Sequence, residues 1–104
     1  MTEYQVKITQ RLTSEICECL SFVNTVSPQA ADQLSNEFSE AIRSLKFFPN
    51  RYPEINGLEV LGVKMRKMPV HDGRYIVLYK VVKNEVIVCD LFDVRKDTKF
   101  AQSL

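Results

Sequence analysis

The chain has 104 residues, 45% of them hydrophobic, with 14 basic and 13 acidic side chains, three glycines and four prolines. That length suits one core, since ordinary domains run to about 100–150 residues each, and the composition excludes disordered, collagen-like and low-complexity classes. The small net charge conceals an asymmetry: residues 1–59 carry five basic against eight acidic side chains, and residues 60–104 carry nine against five. The C-terminal half is therefore the part that would attract a polyanion.

Along the chain, Tyr4, Val6 and Ile8 alternate with Gln5, Lys7 and Thr9, the period of a strand with one buried face. Thr13 or Ser14 is positioned to cap a first helix whose stripe is Leu12, Ile16, Cys19, Leu20 and Val23, ending near Val26. Ser27-Pro28 reads as an N-cap followed by proline at the first helical position, where its missing N–H costs nothing. The second helix carries Ala31, Leu34, Phe38, Ala41, Ile42 and Leu45 on one face and should run to Lys46. Two amphipathic helices separated by a single cap fold back as a hairpin, and their stripes require a sheet to cover.

Residues 49–59, with Pro49, Asn50, Pro53, Asn56 and Gly57, show neither period and read as an exposed connection. Strands are expected at 60–70, 74–82 and 85–94, separated by His71-Asp72-Gly73 and by a tight turn at Lys83-Asn84. The result is a single α+β domain over 1–104 in the order β-α-α-β-β-β. It comprises a four-stranded, mostly antiparallel sheet with the helical hairpin on one face.

No apolar run approaches the ~20 residues needed to cross a bilayer, and Met1–Gln5 lacks the basic and apolar regions of a signal peptide, so no membrane partner and a cytosolic location are expected. Three cysteines cannot all pair within the chain. Cys17 and Cys19 point apart on a helix, and Cys89 reads as a small core hydrophobe. The single histidine, His71, is remote from any cysteine pair, so the spacing supplies no metal site and no cofactor is expected.

The ordered set Tyr4-x-Val6-x-Ile8-Thr9, Ser27-Pro28-x-Ala30-Ala31, Ala41-Ile42-x-x-Leu45, Phe48-Pro49-Asn50-Arg51-Tyr52-Pro53, Gly62-x-x-x-Arg66, Tyr75-Ile76-Val77-Leu78-Tyr79 and Val94-Arg95-x-Asp97 resembles the RelE/ParE superfamily of bacterial toxins. The resemblance implies the toxin of a type II toxin–antitoxin pair, neutralised by a cognate antitoxin expected to be acidic and encoded adjacently. In one branch of the superfamily the toxin enters the ribosome and cuts messenger RNA. In the ParE-like branch it poisons DNA gyrase without catalytic chemistry. A non-toxic, antitoxin-binding homologue is a third reading.

Cutting RNA through its own 2′-OH needs a base, cations that stabilise the crowded phosphate, and an acid for the leaving oxygen. Lys64 and Arg66 share one strand face, and Arg95 closes the last strand. The arginines suit phosphate stabilisation, and Lys64 is the candidate base if burial and neighbouring cations lower its pKa. By the resemblance, Arg66 and Arg95 are the firmest transfers and an mRNA endonuclease is the first expectation. His71 is a weaker acid–base candidate in a loop. Arg74, Lys96, Lys99 and Phe100 are candidate RNA contacts, Phe100 by stacking on a base. Nuclease members commonly carry Tyr or His where this chain has Phe100, which has no proton to give. The expectation is one anion-receiving hollow on the sheet face away from the helices.

Overall fold

The computed structural model describes residues 3–60 and 62–96. The elements are β1 (Gln5–Ile8), α1 (Gln10–Val26), α2 (Pro28–Ser44), β2 (Glu54–Val60), β3 (Val63–Val70), β4 (Tyr75–Val82) and β5 (Glu85–Asp93). The strands form one sheet in the order β1-β5-β4-β3-β2. β2 to β5 make an antiparallel meander, and β1 lies parallel to β5. The expected four-stranded sheet is thus corrected to a five-stranded mixed one.

The additional strand is β2, which occupies most of the stretch read as an exposed connection. Its register against β3 shifts between Glu54 and Glu59, and Gly57 has φ of 82°. Such an irregularity places extra residues against fewer partners and breaks the alternation by which strands are recognised. β2 is nonetheless anchored, because Ile55 is buried with Met65 and Leu78 in a small apolar cluster.

α1 begins one turn earlier than expected. Thr9 is its N-cap, accepting the Leu12 N–H at 3.1 Å while its hydroxyl donates to the Cys89 carbonyl at 2.9 Å. The Thr9 N–H also bonds the Val88 carbonyl at 3.0 Å, so one residue closes the pairing with β5 and opens the helix. Thr13, an expected cap, instead donates its hydroxyl to the Thr9 carbonyl from within the helix. Ser27 does the comparable double task between the helices: its N–H caps Val23 and its hydroxyl accepts from Ala30. α2 stops at Ser44, two residues short of the expected end, where i→i−3 bonds from Leu45, Lys46 and Phe47 tighten the chain.

The main core lies between the hairpin and one sheet face. Leu12, Leu34, Phe38, Ile42 and Leu45 pack against Met68, Val70, Val77, Tyr79, Val86 and Val88. The α2 stripe is buried as expected, whereas α1 buries only Leu12 fully and leaves Ile16, Cys19, Leu20 and Val23 half-buried. Along β3 the alternation assigns Met68 and Val70, and therefore Arg66 and Lys64, to the helix side. The opposite face is centred on Ile55, Met65 and Leu78.

Candidate functional site

Arg66 lies on the helix-side face of β3, beside the segment that follows α2. Its Nη1 donates to the carbonyls of Tyr52 at 2.6 Å and Asn50 at 3.2 Å, and its Nη2 stands 3.8 Å from the Glu54 carboxylate. Only 19% of its side chain is exposed. Around it, Arg51 donates to Ser44 and to the Tyr52 phenol at 3.0 Å each and lies over the Tyr52 ring. The Tyr79 phenol donates to the Pro49 carbonyl at 2.5 Å, and burial pushes its pKa up to about 12. These contacts tie residues 49–54 to the sheet, and the Arg66 guanidinium is largely spent on them. Lys64, two residues away and opposite Glu59, is exposed, so it lacks the partial burial that a lysine base requires.

Arg95 is elsewhere. Arg66 pairs with Tyr79 on β4, whereas Asp93 pairs with Tyr75 and the Val94 N–H bonds the Arg74 carbonyl at 2.9 Å. Arg95 is therefore about six residues further along the strand direction, roughly 20 Å from Arg66 at the usual rise of a strand. The expected hollow gathering Lys64, Arg66 and Arg95 on the face away from the helices does not form. The reasons are that β3 turns Arg66 to the helix side and that the β4–β5 register carries Arg95 to the other end of the sheet.

At that other end the structure does gather cations. Arg74, opening β4, meets the end of β5 and its two following residues, Arg95 and Lys96. Arg74 and Arg95 line one cavity of about 420 Å³ together with His71. Arg74 and Lys96 line another of about 200 Å³, walled by Cys19, Phe22 and Val23 of α1 and by Tyr75 and Leu91 of the sheet. Among the described residues the buried Arg74 Nε has no hydrogen-bond partner, and its guanidinium carbon lies 5.6 Å from the Tyr75 ring centroid. Lys96 Nζ sits 4.7 Å from the centre of the exposed Phe22 ring. Among the described residues, no ion pair engages Arg74, Arg95 or Lys96.

The carboxylates of this corner have other commitments. Asp93 accepts the Arg95 backbone N–H at 2.9 Å, and Glu15 accepts that of Leu91 at 3.3 Å. Burial pushes the Glu15 carboxyl above the ordinary range, against the lowering effect of the Leu91 bond. Burial and a hydrogen bond to Cys19 push Tyr75 up to about 12, so its phenol keeps its proton at neutral pH. His71 approaches the corner, but its Nδ1 lies 2.7 Å from the Glu37 carboxylate. His71, Asp72 and Gly73 all have positive φ, so the loop turns sharply into β4. Burial also pushes the Cys89 thiol up, which suits a packing role.

Arg74 and Lys96, expected as RNA contacts, thus meet Arg95, while Lys99 and Phe100 lie outside the described residues. The signal for the meeting of Arg74 with the end of β5 was only partial: the tight turn at Lys83-Asn84 sets the pairing as far as Tyr79 with Val88, and a register shift between Leu78 and Tyr79 then displaces it by one residue. What stood outside that signal was the α1 wall, because Phe22 reaches the corner only through the docking of the hairpin. Among the described residues, no group of His, Cys, Asp and Glu is suited to a metal, and no helix is long and apolar enough to cross a membrane.

Fold and corner together define the class: a small α+β protein whose helical hairpin covers one sheet face and whose cations Arg74, Arg95 and Lys96 make no ion pair among the described residues at one strand end. The family model of the ParE toxin of the type II toxin–antitoxin system, parDE, matches residues 6–98, and the chain belongs to that family. Seven solved chains match it. One of them, from the chromosomal ParDE TA system of P. aeruginosa, has a TM-score of 0.68 at 16% identity over 88% of this chain and 96% of that one, a likeness of fold. No curated protein sequence matches.

Proposed function

We propose that this toxin acts by stoichiometric binding through the Arg74 corner, with DNA gyrase as its target, and that it cuts no messenger RNA. The observation that carries the reading is the split of the cations. RNA cleavage needs phosphate-stabilising cations, a base and an acid around one bond. Here Arg66 is held by loop carbonyls, Lys64 is exposed beside it, and Arg95 is a strand length away. Membership of the ParE family favours gyrase over the ribosome. The reading includes a cognate antitoxin as partner and the cytosol as the place of action.

The test is a supercoiling assay on purified gyrase, run beside a translation reaction whose messenger ends are mapped. Inhibited supercoiling at near-stoichiometric toxin with intact messenger is expected. Unimpaired supercoiling together with messenger bearing 2′,3′-cyclic ends would overturn the reading in favour of the nuclease branch.

A further inference from the structure

We infer that Glu37 of α2 is a positioning residue of the Arg74 corner: through its bond to His71 it holds the turn from which β4 starts, and so sets where Arg74 stands. This rests on the binding reading above and adds to it the element that aims the working side chain.

The turn has one part that its own residues explain and one part that they do not. Asp72 and Gly73 have φ of 53° and 79°, and the Arg74 N–H donates to the His71 carbonyl at 3.0 Å. Positive φ at both central residues of a hydrogen-bonded turn is the hairpin geometry that Asp-Gly favours. Such a turn lets two strands pair right up to it, here as far as His71 and Arg74. The pairing of β3 with β4 stops instead at Val70 and Tyr75, and His71 is itself left-handed, with φ of 58°. That region brings Cβ close to a carbonyl oxygen, so a histidine stays there only where its surroundings hold it.

The holding contact is Glu37. His71 Nδ1 lies 2.7 Å from the Glu37 carboxylate, a bond that spans 34 positions of the chain. An ionised carboxylate can only accept, so the imidazole N–H donates and the bond is charge-assisted. Next to Glu37, the Phe38 ring meets the Tyr75 ring edge-on with centroids 5.4 Å apart. α2 thus holds the chain on both sides of Arg74, by a hydrogen bond at His71 and by packing at Tyr75.

Arg74 is tied to the state of His71 in two ways. Its N–H uses the His71 carbonyl, and the two residues line together the cavity of about 420 Å³ that holds Arg95 and another of about 140 Å³ against Leu34. Release of His71 to a negative φ turns that carbonyl away and moves Arg74 with it. The His71 and Glu37 side chains are 41% and 31% exposed, so their bond adds little to global stability and its effect is local.

The experiment reads amide hydrogen exchange at Arg74 by NMR, gyrase inhibition and urea unfolding on the full chain. Glu37→Ala should speed exchange at Arg74 about 10-fold and weaken inhibition about 3- to 10-fold, with the urea midpoint almost unmoved. Glu37→Gln keeps an acceptor for the imidazole N–H and should restore most of both. Glu40→Ala, an equal charge change on α2, should alter neither. In a His71→Gly background the left-handed conformation needs no support, so Glu37→Ala should have no further effect. Unchanged exchange at Arg74 or undiminished inhibition in Glu37→Ala, no rescue by Glu37→Gln, or an effect that persists in full with His71→Gly would each overturn the inference. A parent chain that spares gyrase while Glu37→Ala speeds exchange at Arg74 refutes the target alone. A parent that inhibits gyrase, with exchange at Arg74 indifferent to Glu37→Ala, refutes the inference alone.

Discussion

Arg66, midway along β3, and Arg74, just before the first residue of β4, meet opposite fates. The Arg66 guanidinium lies beside a chain segment rich in prolines and carbonyls and binds two of those carbonyls. The Arg74 guanidinium lies beside an aromatic ring and a cavity, and its Nε has no hydrogen-bond partner among the described residues. An arginine's availability is decided by the acceptors around it. Arg66 belongs to the fold and Arg74 to the surface.

The largest effect that sharpens this contrast is expected from Arg66→Ala. Its loss strands the part-buried Tyr52 carbonyl and removes a charge-assisted bond to it, while the Asn50 carbonyl stays open to water, so urea unfolding should register a loss of about 2–3 kcal/mol. A loss below about 0.5 kcal/mol, the range of ordinary surface changes, would break the contrast from the Arg66 side.

Tyr79→Phe should come next, costing about 1–2 kcal/mol in the same measurement because the Pro49 carbonyl loses its buried donor. The phenols of Tyr79 and Tyr75 also set an alkaline limit. Each is held up to about 12 in the fold, against about 10 in the unfolded chain. The stabilisation is complete below the unfolded value and is lost as pH rises from about 10 towards 12. Phenolate absorbance should appear with unfolding. Its full appearance at pH 10 in a still-folded protein would contradict the burial of these side chains.

The smallest effect concerns Glu15, beside the Arg74 cavity. Its carboxyl is raised in the fold, so the native state holds the proton more tightly and the ionised form is destabilising at neutral pH. Glu15→Gln keeps an acceptor for the Leu91 N–H and should raise stability slightly at pH 7. That gain should shrink as pH falls through the raised value towards the ordinary carboxylate range. A gain that grows on acidification would have the wrong sign.

Much of this architecture was legible in the residues. The α2 stripe, the Ser27-Pro28 junction and the Lys83-Asn84 turn are local signals, and each specifies its element directly. Thr9 misled because it completes the β1 alternation while its hydroxyl serves α1. β2 escaped because its register shift removes the periodicity that would reveal it. For the site, alternation places Lys64 and Arg66 on one face, but β3 has apolar residues on both sides, Met65 on one and Met68 with Val70 on the other. Which face the helices cover was therefore undecided by spacing. The bonding of Arg66 depends on residues 49–54 returning to the sheet, a contact over 14 or more positions that no periodicity records.

The most direct test is inhibition of gyrase supercoiling by Arg74→Ala protein whose unfolding free energy has been checked to lie within about 1 kcal/mol of the parent. This folded variant should no longer inhibit at stoichiometric concentration. Undiminished inhibition by the folded variant would contradict the assignment of Arg74 to the working surface.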